Sequence, residues 1–397
     1  MGEIDIENLI PLFKTVAGQR FFTSNLKKNT VRKKFCNCTM DDYYSYAELL
    51  NDNGFKQKSK REVSAGSDYS YDKNVFYIFN KNDVNVYLNW NASEKSVSIT
   101  AEIGVVLPPE KFGFSLSGQG EVNIAQIPVN GMCYAIKLLD GSFIMVDGGT
   151  ADDKCEQKIY EFLVENSKGK PIVATWFFTH AHIDHVELAT EFIKKYADKV
   201  DIKAFSYQFP DFDMISLSME KVDEANGFVE RLENAIKENY PDAKKYSAHT
   251  GQLLCYEGAS VEILYSIDDT ATDTYATVNE QSLAFLVRTE NAVACLLGDC
   301  MSSACRRIAH TYRDYLKSDI LQLAHHGLIG GDRWLYELID PDVCLWATAE
   351  SRFLGTFKQA YQWCLGEGNC DYNKYIRDEK IKKRTHLCHD KIHQIKM

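Results

Sequence analysis

The sequence predicts an α+β protein: an αββα sandwich of two mixed β-sheets flanked by helices, preceded by a small α+β unit. Two observations carry this prediction. From about residue 121 onward, short apolar runs with turn signals between them alternate with helical patterns, the rhythm of mixed sheets covered by helices. Before that, three β-rich stretches follow one helical stretch and end at a Pro- and Gly-rich segment, which reads as a linker. The division falls between residues 1–120, an accessory unit with its linker, and residues 121–397. A chain of 397 residues is long for one core, which agrees with two units.

Taken in order, residues 1–40 show no clear periodicity. Asp41 and Asp42 open a helix over 43–50, and Gly54 stands where it would end, as acids suit a helix start and glycine its stop. Residues 74–80, 83–90 and 95–103 are rich in β-formers. Asp83-Val-Asn-Val-Tyr-Leu-Asn alternates polar with apolar, the mark of a half-exposed strand. Pro108-Pro109 and the glycines of 113–120 form the linker. Two apolar runs, 133–139 and 142–146, flank Asp140-Gly141, a strong hairpin signal. Helices are predicted over 151–167, 186–196, 216–239, 302–317 and 334–339. Strands are predicted over 172–178, 200–205, 252–256, 261–265, 282–289, 292–297, 320–324 and 343–347. No internal repeat or low-complexity segment is present.

The formal net charge is −11, which disfavours a purely electrostatic nucleic-acid binder. The basic residues gather at the ends: 11–40 hold seven Lys/Arg and no Asp/Glu, and 374–397 hold eight against three acids. We read these ends as solvated, with an anion-facing surface as the alternative. Twelve cysteines, none in a CxxC pair, suit free thiols in a reducing cytosol. The first residues are acidic and lack an apolar core, so no signal peptide is expected. No apolar run approaches the ~18 residues of a membrane span. The expected location is the cytoplasm.

The chemistry is concentrated in one place. The apolar strand over 172–178 runs into Thr179-His180-Ala181-His182-Ile183-Asp184-His185. Alternate residues of an extended segment point the same way, so His180 and His182 can grip one ion. The turn into the next helix can aim Asp184 and His185 at a neighbouring position. Imidazole with carboxylate suits Zn²⁺, with Mn²⁺ or Fe²⁺ as alternatives.

This cluster resembles the HxHxDH signature of the metallo-β-lactamase superfamily, and segments around it agree in order. Ile144-Met145-Val146-Asp147-Gly148-Gly149 is similar to the family's strand ending in Asp-Gly-Gly, whose Asp supports the metal loop from behind. Leu296-Leu297-Gly298-Asp299 resembles the segment giving the carboxylate that bridges both metals. Leu321-Gln322-Leu323-Ala324-His325-His326-Gly327 resembles the last ligand strand. Its His-His-Gly form, and Asn279-Glu280-Gln281-Ser282-Leu283 upstream, are similar to the ComEC/Rec2-like branch and related phosphodiesterases. That branch's membrane channel has no counterpart here, which argues against DNA uptake.

The resemblance implies a metallo-β-lactamase-like fold and two divalent ions, Zn²⁺ first. The ligand set it implies is His180, His182, His249 and Asp299 on one ion, and Asp184, His185, Asp299 and His325 on the other. His249 is the sole histidine between His185 and Asp299. Either it completes the first ion's shell, or it faces substrate or surface and that ion has fewer protein ligands. Within His325-His326 either ring could be the ligand; the favoured reading takes His325, with His326 facing substrate and Asp184 also orienting the nucleophile. An oxidoreductase branch of the family has Glu where His182 stands, so His182 points to hydrolysis. The function expected is hydrolysis by a hydroxide held between the ions, with phosphodiester bonds as the leading substrate. The alternatives are lactone or thioester hydrolysis on the same site, and a non-catalytic metal-containing binding module. The partner expected is a small-molecule or phosphodiester substrate, nucleic acid being less favoured, and a homo-oligomer is compatible with the chain.

Other features have plainer readings. His386, His389 and His393, with Cys388, are read as part of a basic tail helix, and His310 as an ordinary helix position. Cys36 and Cys38 are read as free thiols, and Cys300 as a packing residue. Trp346 and Arg352 fall where the family binds substrate, and Arg352 is read as a surface arginine, with phosphate binding the alternative.

Overall fold

A computed structural model of the chain describes residues 6–15, 18–66, 73–114, 120–151, 155–214, 222–269, 277–327, 330–350 and 384–397. Arg352 lies outside them. The N-terminal sheet is built from β1 (Arg20–Lys27), β2 (Thr30–Cys36), β3 (Lys56–Ser64), β4 (Lys73–Lys81), β5 (Val84–Asn91) and β6 (Ser96–Ile103). Its order is β1-β2-β6-β5-β4-β3, antiparallel throughout. Helix α1 (Met40–Asp52) starts at a capping box: Thr39 Oγ1 accepts from Asp42 N, and the Asp42 carboxylate accepts from Thr39 N. Tyr43, Tyr46, Ala47 and Leu50 line its buried face at helical spacing and pack on Phe79, Leu88 and Ile99 of the sheet. The strands β4, β5 and β6 match the three predicted ones. The other three were not legible; β3 is an edge strand, KQKSKREVS, with almost no buried residue.

The second sheet contains β7 (Asn123–Gln126), β8 (Tyr134–Lys137), β9 (Phe143–Val146), β10 (Ile172–Phe177), β11 (Asp201–Ile202), β12 (Ala204–Ser206) and β13 (Lys244–Tyr246). The third contains β14 (Leu253–Cys255), β15 (Ser260–Tyr265), β16 (Ala284–Arg288), β17 (Val293–Leu296), β18 (Ile320–Gln322) and β19 (Val343–Trp346). The C-terminal residues close both sheets: β20 (Thr385–Cys388) runs parallel to β19, and β21 (His393–Lys396) antiparallel to β7. This corrects the expected tail helix. Open sheet edges offer unpaired backbone groups, and the tail satisfies them at both sheets.

The two sheets face one another. Ile124, Ile136, Val146 and Phe177 of one meet Val261, Ile263, Phe285 and Leu296 of the other in one buried cluster. Helices cover the outer faces. Phe162 of α2 (Glu156–Glu165), Phe192 of α3 (Ile183–Tyr196) and Leu232 of α4 (Val222–Asn239) belong to one buried cluster with Met145 and Trp176. Ile308 of α5 (Ser302–Tyr312) and Leu335 of α6 (Arg333–Ile339) pack on Leu286, Cys295 and Leu321. The result is the predicted helix–sheet–sheet–helix order. Among the described residues no helix is long and apolar enough to cross a membrane.

Strand direction decides where chemistry can gather. Strands β9, β10, β12 and β13 are parallel. In the third sheet β17, β18 and β19 are parallel, and β15 shares their direction through antiparallel β16. The residues leaving these strands therefore meet at one rim, where open α/β sheets place their ligands. The N-terminal sheet is fastened close to that rim. Asn89 Nδ2 donates to Thr250 O at 3.1 Å, and Arg61 pairs with buried Glu262.

Candidate metal centre

The loop after β10 supplies four of the candidate groups. His180 and His182 leave the strand, and His182 is the residue from which α3 starts. Asp184 lies in the first helical turn, where the helix dipole favours a carboxylate. Gly148 lets this helix approach, since a Cβ there would lie 2.7 Å from the Ala189 backbone nitrogen. Its N–H donates to His185 O at 2.7 Å.

Asp147 braces the loop from beneath. It adopts a left-handed backbone, φ 53°, uncommon for a non-glycine residue. Fully buried, its carboxylate accepts from Thr179 N at 2.7 Å, Thr179 Oγ1 at 2.7 Å and His185 Nδ1 at 2.8 Å. Because the Thr179 hydroxyl hydrogen goes to Asp147, its oxygen accepts from His180 Nδ1 at 3.0 Å. Both imidazoles are thereby fixed with Nδ1 protonated and Nε2 turned into the cluster. Asp147 thus stands where a supporting carboxylate was expected. Thr179, which joins it to two imidazoles, was missed by sequence reasoning although it directly precedes the His-x-His pair.

Asp299 enters from the other sheet, after β17. Its N–H donates to Ser282 Oγ at 3.1 Å. Gln322 Oε1 accepts from Leu297 N and Gly298 N, at 2.7 and 2.8 Å. Ser282 and Gln322 are buried positioning residues; Ser282 lies in the Asn-x-x-Ser segment read from sequence, and Gln322 was not singled out.

After β18 the chain makes an unusual turn: His325 and His326 are both left-handed, with φ 51° and 58°. Each such residue costs on the order of 1 kcal/mol or more. His325 N donates to Gly298 O at 3.0 Å, and His326 Nδ1 donates to Ala347 O at 2.9 Å. The turn aims His326 Nε2 at the cluster, 3.0 Å from Asp184 Oδ2 and 3.3 Å from Asp299 Oδ2.

Asp299 Oδ2 is the point of convergence. His185 Nε2 stands 3.2 Å from it, His325 Nε2 3.7 Å and His180 Nε2 3.8 Å. Two groups can hold an ion: His180, His182 and Asp299, and beside them Asp184, His185 and His326. Among the described residues, the buried atoms His185 Nε2, His326 Nε2 and Asp299 Oδ1 have no hydrogen-bond partner. Orphaned polar atoms in a dry site are costly, and a divalent cation is the group that all three would satisfy. Burial opposes charge on the carboxylates, yet His185 and His326 hold Asp184 and Asp299 below the usual carboxylate range. Against burial, Asp299, Asp147 and Asp184 raise His185 well above an ordinary imidazole, and Asp299 with Asp184 raises His326 to about 10. The cluster demands positive charge; without an ion, imidazolium protons provide it.

At two positions the arrangement differs from the sequence-based expectation. The first concerns the histidine pair: His326, rather than His325, joins Asp184 and His185, because Ala347 O takes the proton of its Nδ1. His325 is the ring at the edge, with its side chain 19% exposed. The second concerns His249, which the structure keeps out of both groups. Its Nδ1 lies 2.8 Å from Asp268 Oδ2 and its Nε2 3.3 Å from Glu102 Oε2. Tyr87 stacks on the ring at 3.7 Å. Burial alone would lower it, but Asp268 and Glu102 raise this imidazole to about 9. A ring whose two nitrogens serve carboxylates, one of them from the N-terminal sheet, has no lone pair for a metal.

Cys36 and Cys38 are free, and Cys300 is fully buried. His310 packs edge-on against Trp334. Trp346 is buried and donates to His386 Nδ1 at 2.9 Å. The C-terminal histidines form no further metal-sized group among the described residues.

Fold and site together define an αββα sandwich with a paired His/Asp cluster, suited to divalent metal, at the rim between its sheets. No protein-family model matches the chain, and no curated protein matches it. Among solved structures it is similar to CmlA, a diiron β-hydroxylase from Streptomyces venezuelae, at 11% identity and TM-score 0.40, over 91% of this chain and 78% of that one. It is similar to Zn²⁺-bound PqqB from Methylobacterium extorquens at 12% identity and TM-score 0.31, over 49% of this chain and 60% of that one. A Cronobacter sakazakii metallo-β-lactamase with a HARLDQ motif gives 13% identity and TM-score 0.30, over 57% and 82%.

Proposed function

We propose that this chain is a metal-dependent hydrolase, with phosphodiester bonds as its substrate. The observation that carries the reading is the convergence of four imidazole Nε2 atoms within 3.2–3.8 Å of one buried carboxylate oxygen, Asp299 Oδ2. In this reading His180, His182 and Asp299 hold one ion, and Asp184, His185, His326 and Asp299 the other. Ions bound there, Zn²⁺ first, would supply Lewis acidity and a water acidic enough to attack near neutral pH. The chain's own residues do the rest. Asp147 and Thr179 hold His180 and His185 in the tautomer that presents Nε2. Asp184, its side chain 34% exposed, faces both cluster and solvent and can orient an attacking water. His325 takes the substrate-facing role, its Nε2 placed to hold a proton beside a leaving oxygen. Residues 1–120 act as an accessory unit bracing the rim. The phosphodiester reading draws on the resemblance of His325-His326-Gly327 to the ComEC/Rec2-like branch.

The test is elemental analysis of purified protein joined to turnover of bis-(p-nitrophenyl) phosphate. About two transition-metal ions per chain are expected, as paired-ion sites hold, with cleavage lost on chelation and restored by Zn²⁺ or Mn²⁺. Turnover confined to p-nitrophenyl acetate or lactones would replace the phosphodiester reading with a carboxylic one. Metal without turnover of any of these would leave a binding module.

A further inference from the structure

A second cleft opens at the same rim, between the N-terminal sheet and the segments leaving β12 and β13. It encloses about 500 Å³, within the ~300–1,000 Å³ range of small-molecule sites. One wall is apolar, with Val105, Val106, Phe209, Pro210 and Val229. The cleft's charged lining is Lys27, Lys28 and Lys245 with Glu102, Asp211 and Glu233. Lys245 is neutralised by Glu233. Lys27 makes no ion pair among the described residues; its Nζ donates to Gln208 Oε1, a neutral amide, at 2.6 Å. The carboxylate beside it in the cleft wall, Glu102, is already committed, accepting from Ser247 Oγ at 2.6 Å and pairing with His249. Lys28 is exposed and makes no ion pair among the described residues. The cleft therefore holds a partly buried ammonium with a neutral hydrogen-bond partner and a second cation beside it. Burying a charge without a counter-charge is unfavourable, and burial outweighs Glu102 in pushing Lys27 down to about 8.

We infer that this cleft is a binding site for a small anion with an apolar flank, its carboxylate or phosphate group held by Lys27 and Lys28 and its apolar part laid on Val105, Val106 and Phe209. The site is separate from the metal cluster and needs no ion. It adjoins the cluster's rim through Gln208, whose Nε2 lies 3.4 Å from His249 Nε2.

Competitive acetylation at pH 8 with peptide mass mapping tests this on the full, as-purified chain. A lysine with a pKa near 8 has about a hundredfold more free amine at that pH than one near 10.4, so Lys27 should label far faster than surface lysines. Hexanoate and phenyl phosphate are the probes, with sodium chloride at equal ionic strength as control. Either probe should slow Lys27 severalfold while leaving Lys245 unchanged. Slowing by hexanoate alone identifies a carboxylate ligand, and slowing by phenyl phosphate alone a phosphate. A Lys27 that neither probe protects beyond the chloride control overturns the inference. Lys27→Met should weaken calorimetric binding of the protecting probe at least tenfold with bis-(p-nitrophenyl) phosphate turnover unchanged. Unchanged affinity for that probe in a folded variant would overturn the inference as well.

Discussion

Asp147→Asn probes the support of the candidate centre without touching a proposed ligand. The carboxylate accepts three hydrogen bonds, from Thr179 N, Thr179 Oγ1 and His185 Nδ1. Asparagine keeps the shape but has one acceptor oxygen where aspartate has two. Its amide nitrogen must face either the Thr179 N–H or the pair formed by the Thr179 hydroxyl and His185 Nδ1, so at least one donor meets a donor. A lost hydrogen bond to a buried charged group is worth about 1.5–3 kcal/mol. The loss falls on the groups that hold His180 and His185 in tautomer, so it should appear in metal affinity. We expect a 10–100-fold weaker metal affinity, as for other groups that orient ligating histidines, or about 1.4–2.8 kcal/mol at 1.4 per decade. Competition against a fluorescent chelator gives the affinity, and far-ultraviolet circular dichroism checks the fold. An affinity within twofold of wild type, in a folded variant, would refute the claim that Asp147 governs these imidazoles.

Other substitutions follow from the same geometry. Asp299→Ala should lose metal and turnover together while the fold persists; full activity in that variant would rule out Asp299 as the shared ligand. His326→Ala should lower metal content, whereas His325→Ala should retain metal and lose turnover; elemental analysis of the pair decides between the two assignments, and the reverse pattern would restore the sequence-based one. His249→Ala should leave metal content unchanged but destabilise by about 3–5 kcal/mol, the cost of stranding buried partners of an ion pair, read by urea unfolding. Because His249 is raised to about 9 in the fold, from about 6.5 unfolded, its contribution is complete below about pH 6.5 and lost as pH rises through about 9. Unfolding free energy should fall across that window, and less in Glu102→Gln; an equal fall in both would detach the effect from this pair.

What was legible in the sequence was local. The hairpin at Asp140-Gly141 and the helix begun by Asp41 and Asp42 appear close to where the turn and cap residues place them. The His-x-His-x-Asp-His loop could be read because its groups sit within six residues and follow a strand whose direction fixes the rim. Strand β3 was illegible for a physical reason: an edge strand exposed on both faces has no apolar alternation to read. The basic tail gave no strand signal because β20 and β21 take their order from partners far away in sequence, β19 and β7. The same division runs through the site. Which of His325 and His326 turns inward depends on two consecutive left-handed residues and on Ala347 O, 21 positions downstream of His326. His249 was the sole histidine in its interval, which made it a ligand by elimination. Its fate was set instead by Glu102, 147 positions earlier, and by Asp268. A buried imidazole goes to whichever charges the fold brings nearest, and here the N-terminal sheet brings a carboxylate. That exchange leaves the first ion group with His180, His182 and Asp299 and makes it the more open of the two. The approach of a substrate oxygen is therefore expected at the His180–His182 side, and the firmer hold on metal at Asp184, His185 and His326.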